Sequence, residues 1–499
     1  MSNPKDIKFT LKAIINKQKT KVLYVEADSD FADVLLSFLT LPLGTIVRVL
    51  NKHYGDEAPV VGSLTTLYNG LRDLDNGLFS SEDCKNMLLN PIRATEVECR
   101  RLKINVDDTP PTRYFKCGDV NCSSSETLNV SMHFSGLKCD CGHLLDQKID
   151  MIGLDDGGGG VFIASKASLI ISDDLQVLPS ASSSAMQILC NLGITDTVGF
   201  EERSLTWGFN EIMDLLKVSL VSRAPFTELI LDQKPLNHVA MKCVIGVLPV
   251  DLVKKQMEPV VANKMTVKAI VSANKLLFAE VDATFVDFLF SLLALPLGGV
   301  ECLLRCDSCL INIDNLYKSV ENESAGKYLK NQLEANTQLL QPNLPFCYCS
   351  RNYFISPTDT LFPSLYFHQD IDCLLPFPLA KLSDGYGKWV SVYKFPENQR
   401  AYSTYSHQNF HYIAWREKYV KRQTMYMVAD DLTVTPLSST SGFSIINSLK
   451  IPLSEVKELQ LAVGLEEALS ILKASLTSSR ALTDGLITPF LMKQPKQEG

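Results

Sequence analysis

The sequence predicts an α+β protein built from two tandem, related halves, each opening strand, strand, helix (ββα). A cysteine-rich, zinc-ribbon-like insert interrupts the first half, and a degenerate copy of it interrupts the second. Three observations carry this prediction. Lys21 to Gly44 reads KVLYVEADSDFADVLLSFLTLPLG, and Lys275 to Gly298, 254 positions on, reads KLLFAEVDATFVDFLFSLLALPLG without a gap. Self-similarity of that length marks an internal duplication. Each copy passes from an unbroken apolar run to apolar residues at helical spacing, and two close cysteine pairs, Cys117 with Cys122 and Cys139 with Cys141, follow the first copy.

The elements follow in order. Phe9, Leu11, Ala13 and Ile15 alternate with Thr10 and Lys12, and Val267, Ala269 and Val271 repeat the pattern; alternation of this kind reads as a half-buried strand. Polar turns at Asn16 to Lys19 and Ser272 to Asn274 lead into Val22 to Val25 and Leu276 to Ala279, which are apolar throughout and fit strands covered on both faces. Phe31, Val34, Leu35, Phe38 and Leu39, like Phe285, Phe288, Leu289, Leu292 and Leu293, recur at i, i+3, i+4, i+7 and i+8, the spacing of a helix packed on a core. Asp30 and Asp33, or Thr284 and Asp287, stand three apart and predict a cap with its acidic partner. Pro42 and Pro296 disfavour helical geometry at the leucine before them. Ser63 reads as the cap of a helix carrying Leu64, Leu67, Tyr68 and Leu71, whose counterpart is Leu316-Tyr317.

Thr109-Pro110-Pro111 opens the insert, and Gln341 to Pro345 opens its counterpart. Two cysteine pairs on tight turns, separated by a hairpin-length spacer, can bring Cys117, Cys122, Cys139 and Cys141 to one tetrahedral zinc. The spacings C-x4-C and C-x-C depart from the common C-x2-C, and four reduced thiols in a small hairpin are the alternative. So small a unit, poor in large apolar side chains, needs a staple. His143 could replace Cys141 as a ligand, although a histidine after a Cys-Gly turn reads first as a surface residue. The second half keeps only Cys347, Cys349 and Cys373, which points to a structural ion in the first half rather than one needed twice.

Asp155 to Gly160 satisfies neither a Walker A nor a G-x-G-x-x-G spacing and reads as a flexible link. Asp173-Asp174-Leu175 then pairs with Asp430-Asp431-Leu432, and GFNEIMDLLKVSL from Gly208 pairs with GLEEALSILKASL from Gly464. Serines 182 to 184 and 438 to 439 read as caps of a short preceding helix. These marks divide the chain into an α+β segment at 1–108, the insert at 109–152, an α+β segment at 153–240, a connector at 241–263, an α+β segment at 264–340, the degenerate insert at 341–418 and an α+β segment at 419–492.

With 46% hydrophobic and 21% charged residues the composition is that of an ordinary globular protein, and a net charge of −8 argues against a chain built to bind polyanions. The start, MSNPKDIKFT, lacks an apolar signal core, and the longest apolar run, Phe288 to Val300, is too short to cross a bilayer. The expectation is an intracellular protein, cytoplasmic first with the nucleus as the alternative, with no membrane contact, whose 14 cysteines are reduced or metal-bound rather than disulfide-linked.

Taken together, VLYVEADSDFADVLLSFLTLPLG and its copy, the paired-cysteine insert, and DDLTVTP followed by GLEEALSILKASL resemble the family catalogued as domain of unknown function 674. The resemblance implies a plant protein and supplies no activity, substrate or catalytic residue.

Three functions fit these residues. The leading one is a non-enzymatic interaction or scaffold protein with a structural zinc and unidentified protein partners, because the duplicated motifs are core motifs and serve folding more plainly than chemistry. The second is nucleic-acid binding through His411 to Arg422, HYIAWREKYVKR, which interleaves aromatic and cationic residues. Its counter-reading is a strand or hairpin with one solvated face, and the insert itself is no phosphate binder: between 113 and 150 four cations face five anions. The third is an enzyme using duplicated carboxylates, Glu26 and Asp28 with Glu280 and Asp282, or Asp173 and Asp174 with Asp430 and Asp431; these acids also sit where turns and caps need them.

Overall fold

The computed structural model describes residues 7–119, 127–132, 135–151, 160–196, 198–232, 264–322, 326–341, 343–349, 365–368, 373–376, 381–383, 389–391, 409–412 and 418–493. It is a mixed α+β structure. The strands are β1 (Phe9–Ile15), β2 (Val22–Asp28), β3 (Tyr114–Cys117), β4 (Thr127–Met132), β5 (Leu145–Met151), β6 (Ser168–Ser172), β7 (Val177–Pro179), β8 (Glu201–Trp207), β9 (Met265–Ser272), β10 (Lys275–Val281), β11 (Leu365–His368), β12 (Cys373–Pro376), β13 (Lys381–Ser383), β14 (Trp389–Ser391), β15 (Asn409–Tyr412), β16 (Tyr426–Ala429), β17 (Val434–Pro436) and β18 (Lys457–Val463). Two five-stranded antiparallel sheets have orders β7-β6-β2-β1-β8 and β17-β16-β10-β9-β18. Strand for strand, the orders correspond.

Local sequence accounts for the opening of each sheet. β1 buries alternate residues. The turn after it closes on the Asn16 side chain, which accepts from the Thr20 amide at 2.8 Å and the Lys21 amide at 3.0 Å. The helix α1 (Ser29–Ser37) starts on Asp28, whose carboxylate accepts from the Phe31 amide at 2.9 Å. Its counterpart α8 (Ala283–Leu292) starts on Asp282, which accepts from the Thr284 and Phe285 amides at 2.9 and 3.1 Å. The caps therefore lie two residues before the predicted Asp30 and Thr284. The reason is that Asp33 and Asp287 are engaged with distant backbone, described below. Two other predicted caps also differ. The Ser63 hydroxyl donates to the Ser478 carbonyl at 2.6 Å, and the serine-rich helices α5 (Ser182–Asn191) and α12 (Ser439–Ser448) have no side-chain cap bond.

The prolines do more than end a helix. Pro42 and Pro296 are the N-caps of the next helices, α2 (Leu43–Tyr54) and α9 (Leu297–Leu304), and they face one another across an antiparallel bridge. Leu43 donates its amide to the Leu295 carbonyl at 2.9 Å and Leu297 donates to the Leu41 carbonyl at 3.0 Å. The two Leu-Pro-Leu-Gly segments thus bind each other reciprocally, as an isologous contact does in a two-fold dimer. Farther out, Ala164 donates to the Tyr328 carbonyl at 2.8 Å and Lys330 to the Phe162 carbonyl at 2.9 Å. Lys421 donates to the Leu78 carbonyl and Ser80 to the Tyr419 carbonyl, both at 2.9 Å. Each half inserts a strand-like segment into the other, and the cores merge: Phe79 stacks on Phe290 at 6.2 Å within one continuous apolar cluster.

The inserts form a third sheet, ordered β11-β12-β5-β3-β4-β15, with three strands from each half of the chain. β12 runs parallel to β5, and β15 runs parallel to β4 with Asn409 opposite Thr127 and Tyr412 opposite Val130. β13 and β14 make a separate antiparallel pair. Among the described residues no helix is long and apolar enough to cross a membrane.

Candidate metal centre

β3 enters the insert with Tyr114, Phe115 and Cys117 buried, and a register shift between Lys116 and Cys117 re-aims the cysteine; a bulge does this by twisting the strand locally. The second arm is a tight hairpin turn from Cys139 to His143. Cys139 donates its amide to the His143 carbonyl at 2.8 Å, Gly142 donates to the Cys139 carbonyl at 2.9 Å, and Gly142 takes φ +90°, a conformation a side chain resists. Phe115, Cys117, Cys139 and Leu145, with Leu137 against them, make the small apolar cluster under the turn.

The result is a knot of soft donors. The Cys117 and Cys141 sulfurs are 3.5 Å apart, and the His143 Nδ1 lies 3.5 Å from the Cys141 Sγ. All three ligand atoms fall within 4.8 Å of one another. Cys139 adjoins Cys117, and its sulfur accepts from the Asn129 side-chain amide at 3.1 Å. The Asp119 backbone amide donates to Cys117 Sγ at 3.4 Å, and the Asp119 carboxylate lies 3.6 Å from His143 Nδ1. Burial holds the Cys117 thiol above its usual range, while the Asp119 amide pulls the other way. Of the four cysteines predicted as ligands, Cys117, Cys139 and Cys141 come together, and Cys122 lies outside the described residues. His143, read from sequence chiefly as a surface residue, joins the cluster, because the turn that exposes its ring also curls it back over Cys141.

The expectation of reduced or metal-bound cysteines needs one correction: Cys309 is disulfide-bonded. Cysteines 84, 99, 117, 139, 141, 190, 302, 306 and 347 are thiols rather than disulfides. The expectation rested on compartment, and pairing is decided by which thiols the fold brings together.

The duplicated carboxylates are placed as anchors. Asp33, 2% exposed, accepts from three consecutive amides, Val161 at 2.6 Å and Phe162 and Ile163 at 2.8 Å. Asp287 accepts from the Val420 amide at 3.1 Å, the equivalent position. Asp173 accepts from the Thr227 amide and hydroxyl at 2.9 and 2.6 Å, and that hydroxyl accepts from the Val22 amide at 2.9 Å. Asp430, Thr483 and Leu276 repeat the relay at 2.6, 2.7 and 2.9 Å. Burial pushes Asp33 and Asp173 up to about 6 against the pull of their donors, and raises Asp430 for the same reason. Glu26 lies opposite Lys12 in the sheet, and Glu280 pairs with Lys268 at 3.3 Å. Asp174 accepts from the Asn315 side chain at 3.0 Å and Asp431 from the Thr433 amide at 3.0 Å.

The basic-aromatic stretch divides. Residues 409–412 form β15 and 413–417 lie outside the described residues. Tyr419 and Val420 are fully buried, and Lys418 donates to the Thr284 hydroxyl. Tyr419 is a core residue between the halves, so it offers no face to a nucleic-acid base.

A comparison with protein families matches residues 5–464 to the model described as Protein of unknown function (DUF674). No curated protein and no solved structure matches the chain.

Proposed function

The chain belongs to the family described as Protein of unknown function (DUF674), and on that premise we propose that it is a non-enzymatic interaction scaffold, derived by tandem duplication and stapled by one structural zinc. The observation that carries this reading is the use made of the duplicated acids. Asp33, Asp173 and Asp430 have their oxygens bound to backbone amides and threonine hydroxyls that fix one segment of chain to another. A carboxylate so engaged is poorly placed to take or give a proton to a substrate.

The donor set at the insert supports zinc. Thiolate and imidazole suit a borderline-soft ion, and a tetrahedral ion with sulfur ligands at about 2.3 Å sets its ligand atoms about 3.5–3.8 Å apart. The Cys117–Cys141 and Cys141–His143 separations of 3.5 Å fit that spacing. Cys117, Cys139, Cys141 and His143 would hold the ion, with Asn129 orienting the Cys139 sulfur. Its role is to fix the turn beside β3 and β5, where the apolar cluster is small, and the sheet that both halves share is the surface offered to partners.

Affinity capture from the source tissue, comparing the full chain with a Cys117→Ser, His143→Ala double variant, tests the proposal. The expected result is a set of proteins retained by the wild type and lost by the variant. Retention of the same set by both would remove the stapled sheet as the binding surface, and turnover of a small molecule by the purified chain would overturn the non-enzymatic reading.

A further inference from the structure

Glu301 lies on α9, one turn beyond the Leu297 amide that binds the first half. Its side chain is wholly buried, and neither carboxyl oxygen has a hydrogen-bond partner at normal geometry among the described residues, although the Ser308 hydroxyl faces it and opposes the effect of burial. Within hydrogen-bonding reach is Asp314 on helix α10 (Ile311–Glu321). Asp314 is itself 9% exposed and accepts from the buried Ser308 hydroxyl at 3.0 Å. Two ionised carboxylates cannot share so dry a contact, because each costs desolvation and each repels the other. Nor does the fold require an acid here. The equivalent position in the first half is Val47, also buried.

We propose that Glu301 and Asp314 form a proton-binding site under the seam between the halves, in which Glu301 is a neutral carboxylic acid donating to the Asp314 carboxylate. One proton completes the geometry: it gives Glu301 a partner and leaves a single charge, which Ser308 also solvates. Burial first, and then Asp314, push Glu301 well above the carboxylate range. The other titratable groups around the pair are Cys302, Arg305 and Cys306 on and after α9, and Tyr317, Lys318 and Glu321 on α10. The helix α13 (Leu465–Thr477), also packed on α9, contributes Lys473, already paired with Asp307 at 2.7 Å. The packed segment Phe38–Thr40 carries no charge. Lys318 is exposed and does not enter the contact. The pair is therefore balanced by its proton rather than by a buried cation.

The consequence is a pH-sensitive element present in the second half alone. A carboxyl whose folded pKa is raised contributes stability that is complete below its unfolded value and is lost as pH rises through the folded one. Ionisation of Glu301 would require water to part α9 from α10, and α9 also packs on Phe38–Thr40 of the first half. The seam should therefore loosen at alkaline pH.

Thermal unfolding of the full chain between pH 5 and 9, in wild type, Glu301→Gln and Glu301→Val, tests this. Glutamine keeps a donor toward Asp314 without a titrating proton, and valine is the residue of the first half. The wild-type Tm should fall with rising pH relative to both variants. Independently, the infrared carbonyl band of a buried protonated carboxyl should be present in the wild type at pH 8 and absent from Glu301→Gln. Parallel Tm curves, or no such band in the wild type, would overturn the proposal. Stabilisation of the wild type but not Glu301→Gln by Mg2+, Ca2+ or Zn2+ would also overturn it, by showing that the pair binds a metal cation.

Discussion

Replacing Gly298 by alanine should be far costlier than replacing its counterpart Gly44, although both occupy the same place in the repeated Leu-Pro-Leu-Gly. A Cβ on Gly298 would lie 1.9 Å from the Leu339 carbonyl oxygen and 3.2 Å from that of Leu39. The first contact is with backbone, so a rotamer change cannot relieve it. Leu339 ends the helix α11 (Gln332–Leu339) and is 1% exposed, which leaves that carbonyl no free direction. On Gly44 the nearest atoms, Leu293 Cβ and O at 3.1 Å and Pro91 Cγ at 3.2 Å, need give only a few tenths of an ångström. Overpacking a buried contact costs about 1–3 kcal/mol. Displacing α9 also strains the reciprocal Leu43–Leu295 and Leu297–Leu41 hydrogen bonds, each worth about 1 kcal/mol. With the same helix-propensity gain of about 1 kcal/mol set against these terms, we expect Gly298→Ala to lose about 2–4 kcal/mol. For Gly44→Ala the gain of about 1 kcal/mol in helix propensity offsets the milder crowding, and the net loss should stay under about 1 kcal/mol. Urea unfolding followed by far-UV circular dichroism gives both values. Equal losses, or a larger one at Gly44, would refute the seam as described.

Two further predictions concern the core. Asp173 titrates at about 6 in the fold against an ordinary 3.8, so its stabilisation is complete below 3.8 and is lost as pH rises through 6. The stability gap between wild type and Asp173→Asn should accordingly shrink from pH 4 to pH 7, by up to about 3 kcal/mol; a gap that widens would show that the Thr227 donors outweigh burial. Leu292→Ala, at a site with no exposure, should cost about 3 kcal/mol or more in denaturant unfolding. A loss under about 1 kcal/mol would mean that α8 is not packed as described.

What could be read from the sequence was local and periodic. The alternation of Phe9 to Ile15 and the helical spacing from Phe31 to Leu39 name elements that the structure contains, because burial on one face imposes its period on the chain. Long-range partnerships leave no such period. Asp33 looked like the acidic partner of a cap at Asp30, because nothing near it shows that its oxygens serve amides 128 to 130 positions away. Pro42 looked like a helix terminator, when its segment is also the contact with Pro296. Tyr419 looked like a stacking platform within a basic run, and burial between the halves is invisible to composition. At the insert, Cys117, Cys139 and Cys141 were legible as a thiol-rich knot. His143 is exposed, as a histidine after a Cys-Gly turn suggests, and the same turn brings its Nδ1 to 3.5 Å from the Cys141 Sγ.

The central claim, that the insert is held by one structural zinc, is tested most directly by elemental analysis of the purified full chain. The expected result is about one zinc per chain in the wild type, and markedly less in Cys117→Ser and in His143→Ala, with loss of thermal stability in both. A wild-type preparation that is free of metal and fully stable would contradict it.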